Sequence, residues 1–202
     1  MKTCYIVGAG AFYGDFTPDE TDLVIAADGG YSTLKSLEIR CDLLIGDMDS
    51  IASIPTDVEI IRHKVEKDET DMHLAYLEGK KRGYNTFSIY GGVGGRADHT
   101  FANYCLLCYA AENGDSITLY DSLSTAKAVS NGELKVTANI GNTVSVFAFS
   151  GISRGVTIEG LYYELKDGAL TPTFPLGVSN KVIREGAKIS VKDGTLLVIE
   201  EI

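Results

Sequence analysis

Residues 23–31, Leu-Val-Ile-Ala-Ala-Asp-Gly-Gly-Tyr, run from an apolar β-type segment straight into a polar turn and the start of a helix-like stretch. An apolar run with no polar face suits a strand covered on both sides, as in parallel sheets. The same order recurs around it. Cys4–Val7, Leu43–Ile45, Val58–Arg62, Phe87–Tyr90 and Ile117–Tyr120 read as further strands, and Tyr31–Leu37, Glu69–Arg82 and His99–Asn113 as helices. This alternation predicts a mostly parallel, Rossmann-like α/β domain over residues 1–121, with active groups beyond the carboxyl ends of its strands.

After Asp121 the pattern changes to short alternating segments: TAKAVS, ELKVTA, TVSVFAFS, VTIEG, NKVIRE, AKISVK and TLLVIEEI. Turn residues separate them at Asn131-Gly132, Gly141-Asn142, Asp167-Gly168, Glu185-Gly186 and Asp193-Gly194. Residues 122–202 are therefore expected to form an antiparallel β-sandwich domain, small enough to gain from a partner.

The charge is as uneven as the pattern. Up to Tyr120 there are 19 acidic and 10 basic residues, and beyond it 9 and 8. Twelve of the early acidic residues are Asp, the short, hard oxygen ligand that suits magnesium. A net charge of -10 argues against a nucleic-acid backbone as partner. No apolar run is long enough to span a bilayer and the amino-terminal segment lacks a signal-peptide pattern, so no membrane partner and a cytoplasmic location are expected. Cys105-Leu-Leu-Cys108 has CxxC spacing, but it lies in an apolar helix-like run with no second ligand pair, which reads as packing.

Four polar turns could carry chemistry. Ala27-Asp28-Gly29-Gly30 places a carboxylate at a strand end, with glycines that let the backbone approach a ligand. Gly46-Asp47-Met48-Asp49-Ser50 offers two carboxylates one residue apart, a spacing that can share a cation. In Lys67-Asp68-Glu69-Thr70-Asp71, Asp68 reads as a helix N-cap and Asp71 closes a capping box, while Lys67 and Thr70 suit phosphate. Gly91-Gly92-Val93-Gly94-Gly95-Arg96-Ala97-Asp98-His99 forms a backbone cradle ending in a guanidinium, a carboxylate and an imidazole. Gly8-Ala9-Gly10 with Gly14 is a poor match to a dinucleotide fingerprint. Each turn alone has an ordinary structural account. Six Asp in one crevice, however, require a strong cation, so Mg2+ and a nucleoside triphosphate are expected there.

These motifs resemble the thiamine pyrophosphokinase family. The matching segments are ADGG at 27–30, GDMDS at 46–50, KDETD at 67–71, GGRADH at 94–99, GLYYEL at 160–165 and GVSN at 177–180. The resemblance implies diphosphoryl transfer from ATP to the thiamine hydroxyl with release of AMP, and a homodimer with active sites between subunits. It implies Asp47, Asp49 and Asp71 as magnesium ligands, with Asp49, Asp71 and Arg96 catalytic. Asp28, Gly29, Gly30, Lys67, Asp68, Thr70, Gly94, Gly95, Arg96, Asp98 and His99 would hold the nucleotide, and Tyr163, Ser179 and Asn180 the thiamine. Met48 stands where Phe is common in the family, Glu164 where many bacterial members have Pro, and Tyr163 where animal forms have Trp. A metal-dependent phosphoesterase would also use clustered Asp and a glycine-rich loop, but the chain has only three His. A non-catalytic nucleotide-sensing module would need no acceptor pocket.

Overall fold

A computed structural model describes residues 2–48, 55–63, 68–149 and 151–202, and shows a mixed α/β fold. The chain divides into two compact units: Met1–Asn103 with Leu119–Ser122, and Tyr104–Thr118 with Leu123–Ile202.

In the first unit the chain runs β1 (Cys4–Val7), β2 (Leu23–Ala27), α1 (Gly30–Ser36), β3 (Leu43–Gly46), β4 (Glu59–Arg62), α2 (Asp71–Lys81) and β5 (Thr86–Tyr90). It continues through α3 (Ala97–Glu112) and β6 (Ser116–Tyr120), along which it passes into the second unit and back. β1 pairs in parallel with both β2 and β5, β2 with β3, and β3 with β4, giving the order β5-β1-β2-β3-β4. Every residue of β2 and β3 is buried, as their apolar runs require.

The two faces of this sheet are covered differently. Tyr5 and Val7 point to one face of β1, where residues 8–22 replace the usual crossover helix. Phe12 and Phe16 from that segment pack into an aromatic stack with Tyr5, Tyr90 and Tyr120; Tyr5 and Phe16 lie 4.3 Å apart, Tyr90 and Tyr120 4.5 Å. α2 covers the other face, and its Gly79 allows the close approach. A Cβ at Gly79 would lie 2.7 Å from the Phe87 ring and 2.9 Å from the Cys4 sulfur.

The helices begin slightly off the sequence expectation. α2 starts at Asp71 rather than Glu69, and its N-cap is Thr70, whose Oγ1 accepts a hydrogen bond from the His73 amide at 3.2 Å. Thr70 is extended (ψ 157°), as an N-cap residue must be, so the expected cap at Asp68 is displaced by one two residues later.

The second unit holds β7 (Ser124–Ser130), β8 (Glu133–Lys135), β9 (Thr143–Ala148), β10 (Ser153–Glu159), β11 (Leu165–Leu170), β12 (Gly177–Lys181), β13 (Lys188–Ser190) and β14 (Thr195–Glu201). They form antiparallel runs β12-β9-β14-β7 and β11-β10-β13-β8. Val144, Val146, Leu196 and Val198 from one run and Val156, Ile158 and Ile189 from the other share a single buried core. Asp167-Gly168, expected as a turn, lies inside β11. Asp167 takes a φ of 51° there, and the pairing with β10 shifts register around Val156, so these residues make a bulge.

Candidate active site

The strand order determines where the first unit can bind. β1, β2, β3 and β4 are laid down outward in one direction, and then α2 carries the chain back so that β5 pairs on the other side of β1. β1 and β5 therefore flank the point where the strand order reverses, and in open parallel sheets ligands bind at the carboxyl ends of the strands beside such a reversal. A cavity of about 290 Å³ lies there.

Its base is backbone. The Gly8 amide donates to the Tyr90 carbonyl at 2.8 Å and the Gly10 amide to the Gly91 carbonyl at 2.9 Å. A Cβ at Gly10 would stand 2.6 Å from the carbonyl oxygens of both Gly91 and Val93, and one at Gly8 would stand 2.7 Å from the Gly91 oxygen. Gly8, Ala9 and Gly10, weak as a dinucleotide signal, are therefore part of the wall for a different reason: two strand-end loops touch. Asn103 of α3, buried at 5% exposure, donates from Nδ2 to the Gly92 carbonyl at 2.7 Å and holds the glycine-rich loop from behind. Sequence reading missed Asn103 and Thr100, since only the helical spacing from Arg96 would have pointed to them.

Six of the expected residues come together on this cavity: Asp28, Thr70, Asp71, Gly95, Arg96 and His99. Asp28 is placed by backbone strain. It holds φ at 50°, its amide donates to the Ile45 carbonyl at 2.7 Å, and Gly46 of β3 packs against its Cα. Asp71 is the first residue of α2, where the helix dipole favours a negative charge. Thr70 uses its oxygen as the α2 cap, which leaves its hydroxyl proton to donate toward an anion.

Other expectations are redistributed. Gly29 and Gly30 do not line the cavity; a Cβ at Gly30 would fall 1.8 Å from the Val7 carbonyl oxygen, so this glycine serves packing of α1 on β1. Asp47, Asp68, Gly94 and Asp98 also stand outside the lining, while Lys67 and Asp49 lie outside the described residues. Met48 has φ at 69° and is buried in the core with Leu44 and Leu34, which anchors the turn that carries Asp47. Arg96 and Asp98 face each other: Nε lies 3.1 Å from Oδ1 and Nη2 2.6 Å from Oδ2. This hydrogen-bonded guanidinium holds the Asp98 carboxyl below the usual carboxylate range. Both side chains are open to water, 73% and 63% exposed, so an anion can replace Asp98 at little cost.

Among the described residues no group of three His, Cys, Asp or Glu side chains is arranged for a metal ion. The carboxylates of Asp28 and Asp71 both line this cavity, and by the chemistry of the donor set they suit magnesium, which takes one or two carboxylates and completes its shell with phosphate and water oxygens. Cys108 is buried within α3 and its thiol is pushed up to about 12 by that burial, in keeping with a packing role for the CxxC pair.

In the second unit, Tyr163 is 68% exposed beside Tyr162, the rings meeting edge to face at 4.9 Å. Asn180 is buried, and its Oδ1 accepts from the Tyr163 and Lys181 amides, both at 2.9 Å, while its Nδ2 donates to the Tyr163 carbonyl at 2.7 Å. Ser179 has φ at 58°, and its amide donates to the Ser145 hydroxyl at 3.1 Å.

Residues 17–119 match the family model described as "Thiamin pyrophosphokinase, catalytic domain", and residues 133–196 match "Thiamin pyrophosphokinase, vitamin B1 binding domain". The thiamine pyrophosphokinase of Bacillus subtilis is 30% identical across 98% of both chains. Its crystal structure superposes with a TM-score of 0.89, at 27% identity over 98% of both chains. The fold is shared more widely: the yeast thiamin pyrophosphokinase structure gives a TM-score of 0.74 at 16% identity, over 100% of this chain and 86% of that one.

Proposed function

The chain belongs to the thiamin pyrophosphokinase family, and from that premise we propose that the crevice between the ends of β1 and β5 is where ATP is held for attack by thiamine. As a member of that family it is a transferase that converts thiamine to thiamine diphosphate, with ATP as co-substrate. The observation that carries the site assignment is the meeting of Asp28, Asp71, Arg96 and His99 on a wall of glycine backbone at the sheet's reversal.

The chemistry follows from those groups. The thiamine hydroxyl attacks the β-phosphorus in line and AMP leaves, so catalysis rests on positioning and charge neutralisation. Glycine-rich backbone at 8–10 and 91–95 would let polyphosphate lie close to the chain with few side chains in the way. Arg96 exchanges Asp98 for phosphate oxygens and spreads the charge that develops on them. Asp71 would orient the attacking hydroxyl and take up its proton. Asp28 and Asp71, with Asp47 and Asp49, would hold magnesium, which when bound neutralises the phosphate oxygens. The remaining nucleotide contacts proposed are Lys67, Asp68, Gly94 and Asp98.

We assign the catalytic role to residues 1–121, and thiamine binding and dimerisation to residues 122–202. Support for the second assignment comes from its match to the vitamin B1 binding domain and from the exposed Tyr163. Exposed Ile140, Phe174, Leu176, Val178 and Ile183 supply apolar surface for a homodimer that completes each site between subunits. A cytoplasmic setting is supported by four free cysteines; among the described residues no helix is long and apolar enough to cross a membrane.

The test is a product assay with ATP, Mg2+ and thiamine that resolves AMP, ADP and free phosphate. Thiamine-dependent AMP is expected. Thiamine-dependent ADP would assign a γ-phosphoryl kinase instead, and phosphate released without thiamine would assign a phosphoesterase.

A further inference from the structure

Two neighbouring tyrosines, Tyr162 and Tyr163, stand 66% and 68% exposed on the loop between β10 and β11. Large rings left in water on a mobile loop would be poor binding elements, because each would have to be ordered when a ligand arrives. This loop is held from several sides. The Tyr162 amide donates to the Lys181 carbonyl at 2.8 Å, the Ile183 amide to the Gly160 carbonyl at 3.0 Å, and the Gly160 amide to Glu164 Oε1 at 3.1 Å. Arg184 holds the same Glu164 oxygen from outside at 3.2 Å.

The last tie is the Asn180 side chain. Its amide engages both backbone groups of Tyr163, accepting from N–H and donating to C=O, as a paired strand would. A third bond joins Oδ1 to the Lys181 amide. A primary amide offers two acceptor sites and two donors, so both acceptor sites and one donor are used within the protein. At 4% exposure Asn180 has little surface left for a ligand.

We propose that Asn180 is a positioning residue, which fixes the backbone of Tyr163 so that the Tyr162–Tyr163 corner forms a pre-ordered aromatic face for the thiamine pyrimidine ring. The inference rests on the reading that this unit takes thiamine. It moves Asn180 from direct contact with substrate to support of the ring that makes the contact. Tyr162 meets the Tyr163 ring edge to face and limits its rotation from the side. Asparagine is required rather than aspartate: a carboxylate keeps the two accepted bonds but sets an anionic oxygen against the Tyr163 carbonyl, where Nδ2 now donates at 2.7 Å.

The chain contains no Trp, so Tyr163→Trp installs a single fluorophore at the proposed face. Time-resolved anisotropy of that Trp and its response to thiamine are measured with and without Asn180→Asp, alongside steady-state kinetics of Asn180→Asp and Tyr163→Ala alone. Expected for Asn180→Asp are faster local rotation of the Trp, a KM for thiamine raised about tenfold, and a KM for ATP and kcat within about twofold. Thiamine affinity lost while the Trp stays as rigid as before overturns the proposal in favour of direct contact by Asn180. Affinity retained despite a loosened Trp, or no change in either, also overturns it. If Asn180→Asp does not fold, Asn180→Ser is read in the same way. Tyr163→Ala with an unaltered KM for thiamine removes the reading that this corner binds thiamine, whatever Asn180 does.

Discussion

Asp28, Met48 and Ser179 hold φ angles of 50°, 69° and 58°, in the left-handed region that costs a non-glycine residue about 1–2 kcal/mol. Each lies in one of the motifs quoted for function, and in each the neighbouring structure holds the angle: β3 behind Asp28, the core around Met48, Ser145 beside Ser179. At this scale the functional claims are sharpest. Asp71→Asn keeps the shape of the first residue of α2 and removes its charge, so we expect turnover to fall by about 100-fold or more. The fold should be retained, since the helix dipole interaction lost is only about 0.3–1 kcal/mol; kcat and circular dichroism on the same preparation check both. Arg96 is the cause of the low Asp98 titration, so Arg96→Gln should bring that carboxyl back up toward the ordinary Asp range. Carbon-detected NMR through an acid titration measures it, and an unmoved midpoint would show that the pair does not persist in solution.

The two strand-end loops act as one element although 80 residues separate them. Their contact rests on glycine at positions where backbone meets backbone. Gly10→Ala drives a methyl group onto two carbonyl oxygens at 2.6 Å, and neither can move without shifting the loop after β5. We expect a loss of about 1–3 kcal/mol in urea unfolding together with a raised KM for ATP. Asn103→Ala tests the same loop from its other side. It leaves the Gly92 carbonyl without its donor, a cost of about 1–3 kcal/mol. The KM for ATP should rise while that for thiamine stays within about twofold, because the loop walls the cavity of the first unit alone. The helices and strands of this unit were legible from apolar runs and periodicity, with ends off by one or two residues. β11 was not legible, because a bulge uses the same Asp-Gly residues as a turn and local chemistry does not separate them.

For the whole molecule, the acidic excess lies before Tyr120 while large exposed apolar side chains such as Phe174, Leu176 and Ile183 lie in the second unit. A net negative first half favours a cationic acceptor such as thiazolium by long-range attraction. The apolar surface belongs to the proposed homodimer. Sedimentation equilibrium should give a dimer of the 202-residue chain, and Phe174→Asp with Leu176→Asp should shift it toward monomer. Wild-type protein that sediments as a monomer at micromolar concentration would remove the proposed intersubunit site.

By itself the sequence determined the strands of the first unit, because burial on both faces demands unbroken apolar runs such as Leu23–Ala27, and it placed polar, charged and glycine-rich turns at their ends. It also determined the family, through six ordered motifs. Only the tertiary structure decided which of those turns meet. Pairing of β5 with β1 is non-local, and no spacing along the chain encodes that Gly10 will touch Gly91. Side-chain choices were likewise open until neighbours were in place: Arg96 pairs with Asp98, Thr70 takes the cap expected of Asp68, and Asn180 reaches back 17 residues to hold Tyr163. The physical reason is common to all three. Hydrogen-bonding groups commit to the partners that packing brings within reach, and packing depends on strand order rather than on residue type.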